Sequence, residues 1–173
     1  MKLEKANEIA NKVLEQLRPH CLRSEIAGSI RRRCREVKDI EIVVIPKPYG
    51  TGLFETGIAT VINKWRAVKG DLPCKYTQRM LPEGIKLDLF FATPQNWGNI
   101  LLIRTGDWEF SKLFMGVLLP MHGYRHEGGY LKNESGEAIE CLSEVTLFRL
   151  CSIEYIEARH RNREAIMPFI GRM

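Results

Sequence analysis

Leu3, Ala6, Ala10, Val13, Leu14 and Leu17 recur at three- and four-residue steps, and Pro19 ends the series, so residues 3–18 are predicted to form an amphipathic helix. The period then shortens. "GSIRRR" reads as a short helix, and "DIEIVVI" at 39–45 as a strand that Pro46 and Pro48 end. Phe54, Ile58, Val61, Ile62 and Trp65 return to helical spacing, in a second amphipathic helix closed by Gly70. "CKYTQRML" and "IKLDLFFA" follow as extended segments joined by the turn "PEG". Thr93-Pro94 reads as an N-cap with proline at the first helical position, opening a helix to about Arg104 that Thr105-Gly106 breaks. Phe110, Leu113, Phe114, Val117 and Leu118 share one face of the next helix, which ends near Gly123. Gly128-Gly129 and Ser135-Gly136 punctuate short strands, and Ser143 caps a last helix through about Cys151.

This order predicts an α+β chain: a mixed β-sheet with helices on one face over residues 1–92, then a smaller helical and β subdomain over 93–173, with the boundary near Thr93. The 173 residues suffice for one domain of ordinary size or one with an appendage. No run of 18 apolar residues occurs and the first segment is charged, which argues against a membrane span or secretory signal and for a soluble, cytoplasmic protein, expected to be monomeric. Five cysteines without a Cys-x-x-Cys pair indicate free thiols. His122 and His126 have the spacing of a helical metal pair, but Gly123 falls between them, and further zinc ligands are lacking. The net charge of +5 admits a polyanionic partner, and two arginine clusters concentrate it, "RRRCR" at 31–35 and "RHRNR" at 159–163.

The chemistry concentrates in "AGSIRRRCREVKDIEIVV". Residues two apart on a strand share a face, so Asp39 and Glu41 point together while Ile40, Ile42 and Val44 face the other side. In "KLDLFF", Leu87, Leu89 and Phe91 form the apolar face and Asp88 points away from it with Lys86 and Phe90. If these strands pair, three carboxylates converge. Each pair of such charges repels by about 4 kcal/mol at 4 Å and an effective dielectric of 20, so a counter-charge is required. Oxygen-only donors select a hard cation, Mg²⁺ or Mn²⁺, over zinc, and two such ions suit phosphoryl transfer. Upstream, Gly28 lets the backbone approach a ligand, Ser29 offers a hydroxyl, the following N–H groups favour phosphate, and Arg31, Arg32 or Arg33 can hold phosphate oxygens.

With these residues the chain resembles the family X DNA polymerases of the nucleotidyltransferase superfamily. "EIAGSIRRRCREVKDIEIVV" is similar to the family's Gly-Ser, double-arginine and first metal-ligand motif, and "IKLDLFF" to its third-carboxylate strand. "RTGDWEFSKLF" resembles its Thr-Gly turn and nucleotide-binding helix, and "TLFRLCSIEYIEARHR" the end of its thumb-like subdomain. The resemblance implies a nucleotidyltransferase palm over 1–92 and a thumb-like, nucleotide-binding subdomain over 93–173. It implies that Asp39 and Glu41 hold two Mg²⁺ ions, that Asp88 holds the catalytic one and helps activate the primer 3′-hydroxyl, and that Mn²⁺ can substitute. It gives Gly28, Ser29, Arg32, Thr105, Gly106, Trp108 and Ser111 to the nucleoside triphosphate and Lys112 to the template side of the DNA, while the charge cluster itself suggests that Arg159, Arg161 and Arg163 contact DNA phosphates. The implied activity is DNA-directed DNA synthesis at short gaps, as in repair.

The chain also departs from the family pattern. Glu41 stands where these polymerases usually have aspartate, and its extra methylene lets the carboxylate reach further. Ile103-Arg104 replaces the aromatic pair that commonly senses the sugar, and Trp108, Ser111 and Met115 replace acidic, amide and basic side chains. The sequence begins at the helix before the palm, from which no 5′-deoxyribose phosphate lyase activity is expected. Two other readings stand beside the polymerase: a nucleotidyltransferase acting without a template or on another acceptor, and a non-catalytic protein that binds DNA ends or gaps.

Overall fold

In the computed structural model, residues 1–48 and 57–171 are described; Phe54, expected on the second helix, lies outside them. The chain divides into two units, Met1–Ala92 and Thr93–Met173.

The first unit is organised by one helical stripe. Helix α1 (Leu3–Leu17) buries Ala6, Ile9, Ala10, Val13, Leu14 and Leu17 and leaves Glu8, Lys12 and Glu15 in water. The stripe joins the apolar face of a five-stranded mixed sheet: β1 (Cys21–Ile26), β2 (Asp39–Pro46), β3 (Arg66–Lys69), β4 (Tyr76–Met80) and β5 (Lys86–Phe91). The spatial order is β1-β2-β5-β4-β3, with β2 and β5 parallel and the other pairs antiparallel. Ile40, Ile42, Leu87 and Leu89 are fully buried with α1, each worth about 1.5–3 kcal/mol of transfer free energy. The short helix α2 (Gly28–Arg31) connects β1 to β2, and α3 (Ile58–Ile62) adds Ile58, Val61 and Ile62 to the same core.

Two segments differ from the sequence reading. The helix expected to run to Gly70 stops at Ile62, and residues 66–69 are strand β3, because the outer edge of β4 takes Arg66 and Ala67 as partners of Met80 and Arg79. Strand β1 has no clear period of two: Leu22 is 60% exposed, and the register shifts between Cys21 and Arg23.

In the second unit, Asn96 Oδ1 accepts the Thr93 N–H at 2.7 Å and opens a single 3₁₀ turn that leads into α4 (Trp97–Thr105). Asp107 then caps α5 (Trp108–Leu113) by accepting the Phe110 N–H at 2.7 Å. The helix continues through one wide turn, Phe114–Leu118, into α6 (Leu119–Met121). A small antiparallel sheet follows, β6 (Arg125–Glu127), β7 (Tyr130–Lys132) and β8 (Ala138–Ile139), and then α7 (Glu144–Leu150). The core is aromatic: Phe114 lies 5.6 Å from Phe110 and 5.2 Å from Phe148 between ring centroids. The sequence placed the last helix at Cys151, but a further helix, α8 (Arg163–Ile170), follows, capped by Asn162 Oδ1 at 3.0 Å from the Ala165 nitrogen. No helix among the described residues is long and apolar enough to cross a membrane.

All five cysteines are unpaired. Burial pushes the Cys21 thiol up to about 11 and those of Cys141 and Cys151 up to about 12, whereas Cys34 and Cys74 are partly exposed. An aromatic disulfide reagent at pH 8 is therefore expected to label Cys34 and Cys74 in the native protein and the other three only after denaturation. Rapid native labelling of all five, read by mass spectrometry, would contradict the burial described.

Candidate active site

The parallel register of β2 and β5 sets Glu41 opposite Asp88 and Asp39 opposite Lys86, and β4 adds Gln78 opposite Asp88 from the other side. Alternation puts these side chains on the face away from α1. Asp88 is 8% exposed, and two neutral donors hold it: the Tyr76 hydroxyl and the Gln78 amide donate to Oδ1 at 2.8 and 2.7 Å. Tyr76 is itself stacked on Phe90, with ring centroids 5.1 Å apart. Neither donor was singled out in the sequence, although "YTQ" puts them on one face and the "PEG" turn joins their strand to that of Asp88.

Asp39 is half-buried, and its carboxyl is held above the ordinary aspartate range, first by loss of solvation and next by the negative charge of Asp88. Two of the three acids therefore feel one another. The third is placed by the turn before β2. The Glu41 carbonyl accepts the Ala27 N–H at 2.8 Å, and Gly28 has φ of +60°. A Cβ at Gly28 would fall 1.7 Å from Glu41 Oε2, so the longer side chain of glutamate lies against the Gly28 backbone. Beside it, Ser29 Oγ is buried and has no hydrogen-bond partner among the described residues. Arg31 reaches Glu25 at 3.1 Å. The Arg32 N–H donates to the Gly28 carbonyl at 3.0 Å, and Arg33, at φ of +60°, turns the chain out of α2.

The donor set is oxygen only, which suits a hard cation. As arranged, though, Asp88 Oδ1 faces Tyr76 and Gln78 while the Glu41 carboxylate lies on Gly28. Among the described residues no three His, Cys, Asp or Glu side chains are gathered about one point so as to hold a metal ion.

The second unit carries the other predicted residues. Thr105 is fully buried, and the Gly106 N–H closes α4 on the Leu102 carbonyl at 3.0 Å. A Cβ on Gly106 would fall 2.6 Å from both Phe110 Cδ1 and Ser111 Oγ, so this turn admits only glycine without a shift. The Ser111 hydroxyl donates to the Ile103 carbonyl at 3.0 Å, tying the start of α5 to the end of α4. Trp108 is exposed, with Lys112 Nζ 4.8 Å from its ring centre. Arg159 is exposed, and Arg163 is exposed and paired with Glu109 at 2.9 Å.

Arg161 requires a correction: expected on a DNA-facing surface, it is fully buried. It pairs with Glu144, donates from Nε to the Ile156 carbonyl at 2.9 Å, and lies 5.4 and 5.2 Å from the Phe148 and Tyr155 rings. Its own carbonyl accepts the Asp107 N–H at 3.1 Å. A charge in that position is stable only because it is paired, so Arg161 belongs to the core and supports the Asp107 cap. The basic run concealed this, since the 3₁₀ turn Ala158–His160 and the start of α8 break the every-second spacing of the three arginines.

No protein-family model matches the chain, and no curated protein is significantly similar to it in sequence.

Two outcomes follow from the geometry. An acid whose pKa is raised by folding loses stability as pH rises from its ordinary value through its folded value. Asp39→Asn is therefore expected to raise the melting temperature at pH 7, with the gain shrinking toward pH 3.8, the ordinary aspartate value. A pH-independent or negative difference would contradict the assigned environment. Gly28→Ala is expected to lower stability by about 1–3 kcal/mol in denaturant titration, because alanine at positive φ is strained and displaces Glu41.

Proposed function

We propose that this protein is a nucleotidyltransferase of the family X DNA polymerase kind, with the first unit serving as the palm and the second as the thumb-like nucleotide-binding subdomain. The observation that carries the reading is the register that sets Glu41 opposite Asp88 with Asp39 on the same face, next to the Gly28-Ser29 turn. A purely structural sheet gains nothing from three acids on one face, and Asp39 is destabilised by the arrangement.

In this reading the primer 3′-hydroxyl attacks the α-phosphorus of a nucleoside triphosphate. A new P–O bond forms, the bond from the α-phosphorus to the bridging oxygen breaks, and pyrophosphate leaves. Asp88 helps to activate the hydroxyl, held in one orientation by Tyr76 and Gln78. Asp39, Glu41 and Asp88 would hold Mg²⁺ or Mn²⁺, which supplies positive charge to the reacting phosphate oxygens. Gly28, Ser29 and Arg32 hold the β- and γ-phosphates, the unpartnered Ser29 hydroxyl being available to donate. Lys112, Arg159 and Arg163 meet DNA phosphates, so affinity for gapped duplex falls with salt.

The test is extension of a labelled primer on gapped and recessed DNA with each deoxy- and ribonucleotide and either metal. Templated addition is expected, reduced by about 10²-fold or more in Asp88→Asn. Addition that ignores the template would move the assignment to a transferase of another acceptor. Binding of gapped DNA with no addition under any condition would move it to an accessory protein.

A further inference from the structure

Of the arginine cluster at 31–35, the proposed reaction uses Arg32 alone. Two others line a cleft of about 450 Å³ in the first unit, between the start of α1, the end of β1 and α2. Its apolar lining is Leu3 and Ile26, which pack on the core, and Ile30, which is buried. Ile26 is in register with the buried Ile42, so the cleft lies on the face of the sheet that α1 covers, opposite the carboxylates. Glu4 and Asn7 of α1 add polar groups, and Arg31 and Arg33 add charge. Glu25 holds Arg31 at 3.1 Å. Arg33 is exposed and has no ion pair among the described residues, and Arg35, whose carbonyl accepts the Leu3 N–H at 3.1 Å, stands next to the cleft. At φ of +60°, Arg33 occupies a conformation that glycine adopts freely and a long side chain rarely does. Glycine would close the same turn without strain, so the guanidinium is carried against a conformational penalty, and such strain points to a use outside the fold.

We propose that this cleft docks an extended segment of a partner protein in which large apolar residues are flanked by acidic ones. The apolar lining takes a bulky side chain out of water, and the Arg33 guanidinium, with Arg35 beside it, meets a flanking carboxylate. Glu4 and Asn7 accept N–H groups that an extended backbone brings with it. Strand β1 is the outermost of its sheet on this side, with no strand beyond it among the described residues, and an edge strand carries backbone groups that an extended chain can pair. A nucleic-acid backbone suits the cleft less: phosphates need no apolar lining, and Glu4 and Glu25 repel a continuous row of them. The proposal does not rest on the nucleotidyl-transfer reading, because the cleft and the carboxylates lie on opposite faces of the sheet, so a docked partner leaves the acidic face open.

The test is an array of capped hexapeptides in which each pair drawn from leucine, isoleucine, valine, phenylalanine and tryptophan is flanked on both sides by two aspartates. Saturable binding of some members is expected by fluorescence anisotropy, and none when lysines replace the aspartates or glycine and serine replace the apolar pair. Amide shifts on binding should centre on Leu3, Asn7, Ile26 and Ile30. Arg33→Gly is expected to weaken binding by about 3-fold or more while the melting temperature stays equal or rises, and Arg33→Lys to keep most of the affinity. No binding member, shifts centred elsewhere, or equal affinity in the glycine variant would overturn the proposal. So would displacement of the peptides by duplex DNA with shifts at the same four amides, which would give the cleft to nucleic acid. Primer extension without peptide binding sinks the docking site and leaves the transferase reading standing; peptide binding without extension does the reverse.

Discussion

The parallel pairing of β2 with β5 is the constraint on which the first unit depends. In that register Ile40, Ile42, Leu87 and Leu89 meet the stripe of α1, and the period of two sends Asp39, Glu41 and Asp88 to the opposite face. A slip of one residue would turn the carboxylates into the core and the isoleucines out of it, so the hydrophobic effect that stabilises the sheet also fixes where the acids stand. Register and site geometry have one physical origin.

That arrangement is electrostatically unfavourable in itself, and the surrounding residues offset it in distinct ways. Asp88 gains two neutral donors, Lys86 and Lys38 partly compensate Asp39, and the Glu41 carboxylate lies on the one residue without a side chain to exclude it. The second unit solves an analogous problem differently. Its buried Arg161 is paired with Glu144, ringed by Phe148 and Tyr155, and holds the Asp107 cap of α5 through its backbone carbonyl. Removing one member of such a pair strands a charge in the core, so the turn that presents Trp108 and Lys112 depends on it.

Much of this was legible in the sequence because it rests on local periodicity. The stripe of α1, the alternation in "DIEIVVI" and "KLDLFF", and the Thr93-Pro94 punctuation each carry their meaning within a few residues. What was not legible depends on partners distant in the chain. Residues 66–69 became a strand because β4 needed a neighbour on its outer edge. Arg161 looked like its neighbours Arg159 and Arg163 until the fold buried it. The alternation that puts three acids on one face was legible, but the described structure does not gather them about one point. The sequence could not anticipate that the third carboxylate would lie on Gly28.

Under the proposed function, Asp39, Glu41 and Asp88 would act together on a hard cation when a nucleotide is present. Electron paramagnetic resonance of Mn²⁺, titrated with a non-hydrolysable deoxynucleoside triphosphate into the protein and into an Asp39→Asn/Asp88→Asn variant, tests it most directly. The wild type is expected to sequester Mn²⁺ beyond what the nucleotide binds alone, and the variant is not. Equal free-Mn²⁺ signals for the two proteins would contradict it.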